Sequence, residues 1–240
     1  MTVQGFIPKL KQHIWPRIKS VLEEEQAEVT SISHNVLANP TTTPHGDPRT
    51  AVDFETSDTL NTVSFNKNRI YRHQIARFNH TTYDVRRDQD IIHPTTSHCN
   101  IMLLADNANT GKELHHHFLY AKVLGIYHAN VIYTGQDPKD YRPRRMEFLW
   151  VRWYKWVQSP KGLRFDTLSF PPMASENSFG FVDPAVVLRG CHIVPAFSGG
   201  KVHADGCGLS WCAMDGEDWS SYYVNQWACL NILVTFYIGS

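Results

Sequence analysis

The sequence contains none of the short motifs that mark the common enzyme classes. It has no GxSxG of serine hydrolases, no GxxxxGK(S/T) phosphate-binding loop and no GxGxxG of dinucleotide-binding folds. It also has no CxxC pair, the spacing that structural zinc sites usually use. We therefore expect a protein that is not an enzyme, with no catalytic residues, no metal ligands, no cofactor and no small-molecule substrate.

The chain also lacks a net charge and a long apolar run. Its 23 Lys and Arg balance 23 Asp and Glu, so an anionic partner would have to bind a local patch. The most apolar segment, residues 228–239, is well short of the roughly 20 residues that a membrane-spanning helix needs. We expect no membrane partner. The odd number of cysteines and the absence of a signal peptide predict an intracellular location.

Aromatic and β-branched residues are abundant between residues 120 and 197. They occur in runs separated by turn residues, a pattern typical of antiparallel strands. Several runs are apolar on both faces, which indicates strands buried inside a closed or sandwiched sheet. The predicted fold is mainly β (α+β in class): a small antiparallel β-barrel or curved sheet preceded by an N-terminal amphipathic helix.

Composition divides the chain into four segments. Residues 1–28 predict the helix, because apolar residues recur at three- and four-residue steps, with Pro16 kinking or splitting it. Residues 29–59 are rich in Ser, Thr, Asn and Pro and predict a disordered linker. Residues 60–226 are the predicted β-barrel domain. Residues 227–240 form an atypical tail, interpreted as misfolded or truncated.

Two local patterns predict turns. The segment Asn66-Lys67-Asn68 predicts a hairpin, because Asn tolerates the left-handed backbone conformation that tight turns need. Asp183 followed by Pro184 resembles a helix cap and a first-turn proline, which predicts a short helix near residues 184–189.

A cluster of arginines is the best candidate for a nucleic-acid-binding surface. Guanidinium groups pair with phosphates, and interleaved aromatic rings can stack on bases. Three aspartates lie in the same segment, at positions 84, 88 and 90, so an internally ion-paired hairpin is the alternative. The candidate residues are Arg69, Arg72, Arg77, Arg86 and Arg87.

Four aromatic residues in one strand are candidates for peptide recognition. Aromatic rings can form a groove, or a cage that holds a methylated lysine by cation–π interaction. The alternative is that alternating aromatics at this density form the hydrophobic core. The candidates are Trp150, Trp153, Tyr154 and Trp156.

Some His, Cys and acidic residues leave two weaker alternatives open, a metal site and a metal-dependent nuclease. The segment 203–212 offers one His and two Cys, and residues 115–117 are three adjacent histidines, but neither set has the spacing of a structural zinc site. A metal-dependent nuclease would need three acids around metal ions. The available acids are scattered: Asp53, Asp106, Glu147, Asp183 and Asp218.

Longer phrases of the sequence resemble a known group of proteins. Segments at residues 70–106, 120–133, 144–157, 179–197 and 218–226 are similar to a transposon-associated (CACTA-like), uncharacterised family of mushroom-forming fungi. The resemblance covers most of the chain but departs from the family pattern in the tail. Because the family has no established activity, the resemblance implies no catalytic residue.

A weaker, architectural similarity relates residues 151–154 and 181–197 to bromo-adjacent homology (BAH)-like barrels that read chromatin. The two resemblances imply a non-enzymatic accessory or interaction domain of a transposon-derived protein. Its expected partner is DNA or a chromatin protein, and its expected location is the nucleus. The alternatives are a metal-dependent nuclease-like fragment of a transposase and a decaying copy with no present function.

Overall fold

The computed structural model describes residues 5–34, 61–81, 87–105, 118–135, 140–157 and 167–225. Within these ranges the chain forms one α-helix and twelve β-strands. The helix, α1, spans Phe6–His34. The strands are β1 Val63–His73, β2 Ala76–Thr81, β3 Arg87–Ile92, β4 Asn100–Leu104, β5 Phe118–Tyr133, β6 Asp140–Trp153, β7 Lys155–Val157, β8 Thr167–Ser169, β9 Phe179–Val182, β10 Val187–Gly190, β11 Ile193–Pro195 and β12 Tyr222–Val224.

The strands form three antiparallel sheets. The largest has six strands in the order β10-β4-β5-β6-β9, with β1 also paired to β5. A four-stranded sheet has the order β11-β12-β8-β7, and β2 pairs with β3 alone. The prediction of a mainly β fold with an N-terminal helix is confirmed. Among the described strands no sheet closes into a barrel, so the curved sheet is the alternative that agrees with the structure.

The chain divides into two compact units. The larger contains Tyr71–His128 and Glu147–Ser240, and the smaller contains Thr2–Ile70 and Ala129–Met146. Strands β1, β5 and β6 contribute residues to both units. Strands β2 and β3, residues 197–219 and the histidines at positions 73 and 128 all belong to the larger unit.

In the smaller unit α1 buries one stripe of aliphatic side chains. Leu10, Ile14, Ile18 and Leu22 recur at every fourth position and are all buried, as the sequence period predicts. The helix continues through Pro16 to His34 without the predicted split, and it covers the first residues of the predicted linker. The rest of that linker and the tail at residues 227–240 lie outside the described residues.

The larger unit contains two main hydrophobic clusters. In β6 the alternation of side chains places Leu149, Val151 and Trp153 in the first cluster, on one face of the strand. Tyr154 and Trp156 pack against the second cluster. The buried members of the first cluster are Phe78, Ile92, Ile101, Leu103, Ala121, Val123, Ile126, Leu149, Val151 and Val182.

The prediction of a hairpin at residues 66–68 is wrong. Lys67 and Asn68 do adopt left-handed backbone angles, with φ of 56° and 52°. The chain nevertheless continues as one strand, β1, which pairs with β5. The left-handed residues are therefore a local distortion of a strand, and the hairpin lies further along, between β2 and β3.

The expected helix near residues 184–189 is shorter than predicted. Asp183 caps it as expected, because its Oδ1 accepts a hydrogen bond of 3.0 Å from the Ala185 backbone N–H. The helix is a single 3-10 turn, Pro184–Val186. The following residues form β10, because Val187–Gly190 pairs with β4 instead of continuing the helix.

Candidate functional site

The β2–β3 hairpin presents a polar, basic face to solvent. The two strands pair residue by residue, so alternate side chains point to the same side. One side is entirely exposed, and we call it the ribbon face. Its residues are Arg77, Asn79, Thr81, Arg87, Gln89 and Ile91.

Asp88 and Asp90 lie on the other side of the ribbon, where Asp90 holds it to β10. Asp90 Oδ2 accepts a hydrogen bond of 2.9 Å from the Gly190 backbone N–H and lies 3.3 Å from Arg189 Nε. His80, buried on that side, lies 3.6 Å from Asp90 and 4.0 Å from Asp88. The ribbon face therefore carries cations without carboxylates among its members.

The amides at the centre of the ribbon face form a cross-strand pair. Gln89 Nε2 donates a hydrogen bond of 2.9 Å to Asn79 Oδ1. This bond leaves the amide N–H₂ of Asn79 and the carbonyl of Gln89 to bind another molecule. Arg77 and Arg87 flank the pair at the two ends of the ribbon face, about 13 Å apart at roughly 3.3 Å per residue.

The other predicted arginines are distributed differently. Arg69 and Arg72 are exposed on β1, but Arg69 belongs to the smaller unit and Arg72 to the larger. Arg86 lies outside the described residues. Of the five candidates, the structure thus brings Arg77 and Arg87 onto one face. In the described part of the chain, neither forms the predicted ion pair with Asp88 or Asp90.

The four aromatic candidates do not share one site. Trp150 stacks on Phe179 with ring centroids 5.6 Å apart, in a cluster of its own. Trp153 packs against the first hydrophobic cluster, and Tyr154 and Trp156 against the second. All four rings are half-buried against other core side chains, which agrees with the core alternative.

The second candidate site is the segment at residues 197–219, which we call the apolar loop. It exposes four large apolar side chains, and Trp211 is 90% exposed. Sequence analysis missed it, because the segment has the Gly, Ser and Asp composition of an ordinary connection. The exposed apolar residues are Phe197, Val202, Leu209 and Trp211.

The buried carboxylate of Asp215 organises the apolar loop. It accepts hydrogen bonds of 2.7 Å from the Leu209 backbone N–H and 2.9 Å from that of Ser210, and it lies 3.4 Å from His203. Burial acts to raise the pKa of Asp215, but the Ser210 and Leu209 backbone bonds outweigh it and hold the pKa below its usual value. The backbone just before Trp211 is therefore tied to Asp215, four residues after it.

Buried charges join the loop to the sheet. The Asp218 carboxylate pairs with Arg152 Nη1 at 2.5 Å, and both side chains are nearly inaccessible. Lys122 Nζ donates to the Met214 backbone carbonyl at 3.3 Å and lies 4.0 Å from Asp218. Burial raises the pKa of Asp218 even though Arg152 and Lys122 oppose the shift. The Arg152 guanidinium also stacks 3.9 Å from the centre of the Phe170 ring.

The two weaker alternatives, a metal site and a metal-dependent nuclease, gain no geometric support from the residues that the structure describes. Among them, no three His, Cys, Asp or Glu side chains converge to hold a metal ion. Glu147 is exposed on β6, Asp183 caps the 3-10 turn and Asp218 pairs with Arg152. The remaining acids, Asp53 and Asp106, and the histidines at 115–117 lie outside the described ranges.

Comparisons with known proteins assign no family. No family model, no curated protein and no solved structure matches the chain. The resemblances to transposon-associated proteins and to BAH-like barrels therefore stay predictions. No helix within the described ranges combines the length and the apolar character that crossing a bilayer requires.

Proposed function

We propose that this chain is a non-enzymatic interaction module that binds nucleic acid through the ribbon face. One observation carries the proposal: strand alternation gathers Arg77, Asn79, Arg87 and Gln89 on one exposed side and leaves Asp90 on the other. Because the total charge of the chain is zero, nucleic acid could be attracted only by a local basic patch of this kind.

The two arginines of the ribbon face suit the phosphate backbone. Each guanidinium can donate two parallel hydrogen bonds to a phosphate, a geometry that lysine cannot match. Their separation of about 13 Å is several times the axial rise of about 3.4 Å per phosphate on one strand, so the two guanidinium groups can reach two different phosphates. Both arginines can therefore contact the backbone of one nucleic acid at the same time.

The amide pair suits base edges. Adenine presents an acceptor and a donor side by side in the major groove, and Asn or Gln amides complement them. The amide pair offers the matching donor on Asn79 and acceptor on Gln89. A two-stranded β-ribbon is also narrow enough to enter the major groove of B-form DNA. DNA is the nucleic acid that these features favour.

Fluorescence anisotropy with a labelled 20-base-pair duplex at 50 mM NaCl tests the proposal. We expect the double variant Arg77→Gln/Arg87→Gln to bind at least tenfold more weakly than the parent chain, because two phosphate contacts are lost. The control Arg145→Gln/Lys155→Gln removes the same charge from exposed positions outside the ribbon face. Equal weakening in both variants, or no binding by the parent chain, would overturn the proposal.

The transposon resemblance supports the same partner. We propose that the chain is an accessory domain of a transposon-derived protein that acts on DNA in the nucleus. The nuclease alternative is tested with the same duplex in Mg²⁺ or Mn²⁺: cleavage that disappears in Glu147→Gln would replace the accessory proposal. A chain that neither binds nor cleaves DNA or peptides would support the interpretation as a decaying copy.

The apolar loop favours a second candidate function, the binding of a protein partner. Exposed Trp residues on a fixed scaffold are frequent hot spots, because little ordering entropy is lost on binding. Trp211 is exposed on a loop that Asp215 and Asp218 hold in place. Since the BAH-like resemblance implies a chromatin protein, we propose a histone tail as this partner.

Titration of labelled histone-tail peptides into the full chain tests the second function. We expect Trp211→Ala to abolish peptide binding and Leu104→Ala, which shortens an exposed side chain on β4, to leave it unchanged. Binding that survives in Trp211→Ala, or no binding by the parent chain, would remove the loop as the peptide site.

A further inference from the structure

Two histidines on neighbouring strands direct their ring nitrogens at each other. His73 lies on β1 and His128 on β5, and these strands pair in the six-stranded sheet. His73 Nε2 and His128 Nδ1 are 2.6 Å apart. The ring centroids are 4.8 Å apart and the rings are tilted by 30°. Neither the ribbon face nor the apolar loop includes this pair.

A third ring packs against one of the two histidines. Tyr71 stacks on His128 with centroids 4.7 Å apart and planes 10° from parallel. Both imidazoles are half-buried, so solvent and ions can still reach them. Because the pairing of β1 with β5 already holds the two residues side by side, less entropy is lost when a metal ion joins them.

The distance matches a metal chelate closely. A metal ion bound to imidazole lies about 2.0–2.1 Å from each nitrogen, so two ligands at a right angle are about 2.9 Å apart. The two nitrogens face each other head-on, so the rings would have to separate by about 0.3 Å and each turn by about 45° to aim both lone pairs at one ion. Imidazole nitrogen is a favoured ligand of Cu²⁺, Ni²⁺ and Zn²⁺, and the first two accept right-angled ligands in square geometries.

We propose that His73 and His128 form a cross-strand chelate for a divalent late transition-metal ion. Cu²⁺ binds most tightly, as the general order of divalent-metal affinity requires. In the metal-free pair one ring donates its N–H to the other. On binding, that proton moves to the other nitrogen of the same ring, so both facing nitrogens offer lone pairs. Water occupies the remaining coordination positions.

The test must first remove the adjacent histidines at 115–117, which can bind copper themselves. The parent for the test is therefore the full chain carrying His115→Ala, His116→Ala and His117→Ala. Calorimetric titration with Cu²⁺ gives the affinity, and electron paramagnetic resonance shows whether two nitrogens couple to the bound copper. We expect one bound ion with two-nitrogen coupling.

His73→Gln and His128→Gln are each expected to weaken Cu²⁺ binding at least tenfold and to remove one nitrogen coupling. His192→Gln, which alters an exposed histidine elsewhere in the larger unit, is the control and keeps the parent affinity. Parent-like binding in either test variant, or an equal loss in the control, would overturn the proposal.

A measurement on the parent itself avoids any dependence on folding of the variants. Zn²⁺ titration followed by imidazole ¹⁵N resonances is expected to shift the signals of His73 and His128 first. Shifts that begin at other histidines would contradict the chelate.

Discussion

At the scale of single residues, buried polar groups determine how the apolar loop is built. Asp215 satisfies the Leu209 and Ser210 backbone N–H groups, and Asp218 neutralises Arg152. A buried carboxylate without such partners would be strongly destabilising. The loop thus exposes Trp211 while its backbone is held by bonds that a change of one residue can remove.

Asp215→Asn is predicted to destabilise the protein at pH 7 by about 1–3 kcal/mol, because a neutral amide with one acceptor replaces a carboxylate that accepts two backbone bonds. The pKa of Asp215 is lower in the folded protein than its usual value of 3.8. Its stabilising effect is therefore complete above pH 3.8 and is lost as the pH falls through the folded-state pKa. Urea unfolding of the parent protein and of Asp215→Asn at several pH values measures the difference between their free energies of unfolding. A difference that stays constant down to pH 2 would contradict the prediction.

Gly208→Ala is predicted to destabilise the loop by about 1–3 kcal/mol. A Cβ at position 208 would lie 2.6 Å from the backbone N of Gly216, which cannot move without disturbing Asp215. Gly199→Ala is the matched control, because its Cβ would meet its nearest atom at an ordinary 3.6 Å. Thermal unfolding compares the two, and equal Tm values would show that the close approach is not required.

At the scale of elements, the sequence period predicted the buried stripe of α1 and the burial of both faces of β6. The four-residue spacing of α1 identified Leu10, Ile14, Ile18 and Leu22, and alternation in β6 placed Leu149, Val151 and Trp153 together. Local turn preference was less informative. Asn68 does adopt the left-handed conformation, but pairing of β1 with β5 decides that the chain does not reverse there.

The apolar loop and the ribbon face could not be derived from local pattern. Arg152 and Asp218 are 66 positions apart in the chain, so their pairing depends on the tertiary fold. The arginine cluster was visible in the sequence, but whether Asp90 would pair with Arg77 or with Arg189 was not. The strand register answers this, because it places Arg77 and Asp90 on opposite sides of the hairpin.

Ile14→Ala is predicted to destabilise the protein by about 2–5 kcal/mol, since it leaves a cavity beneath α1 where the side chain is fully buried. Ile7→Ala makes the same chemical change on the same helix at a position that is 39% exposed, and a much smaller loss is expected. Urea unfolding gives both free energies. Similar losses would mean that the buried stripe does not hold the helix in place.

At the scale of the whole molecule, recognition surfaces are local because the chain is electrically neutral. The ribbon face gathers cations on one side of a hairpin, and the apolar loop gathers exposed hydrophobic side chains on a fixed backbone. The proposed function as a binding module rests on these two surfaces, which differ in their chemistry. DNA binding at the ribbon face is predicted to weaken steeply with salt, whereas peptide binding at Trp211 is predicted to depend on salt much less.

The salt dependence of DNA binding tests the central claim most directly. A plot of log K against log salt concentration is predicted to be less steep by about 1.8 in Arg77→Gln/Arg87→Gln than in the parent chain, since each phosphate contact contributes about 0.9. The control Arg145→Gln/Lys155→Gln is predicted to keep the slope of the parent. Identical slopes for the parent and the ribbon-face variant would show that Arg77 and Arg87 do not contact phosphates, and would contradict the account.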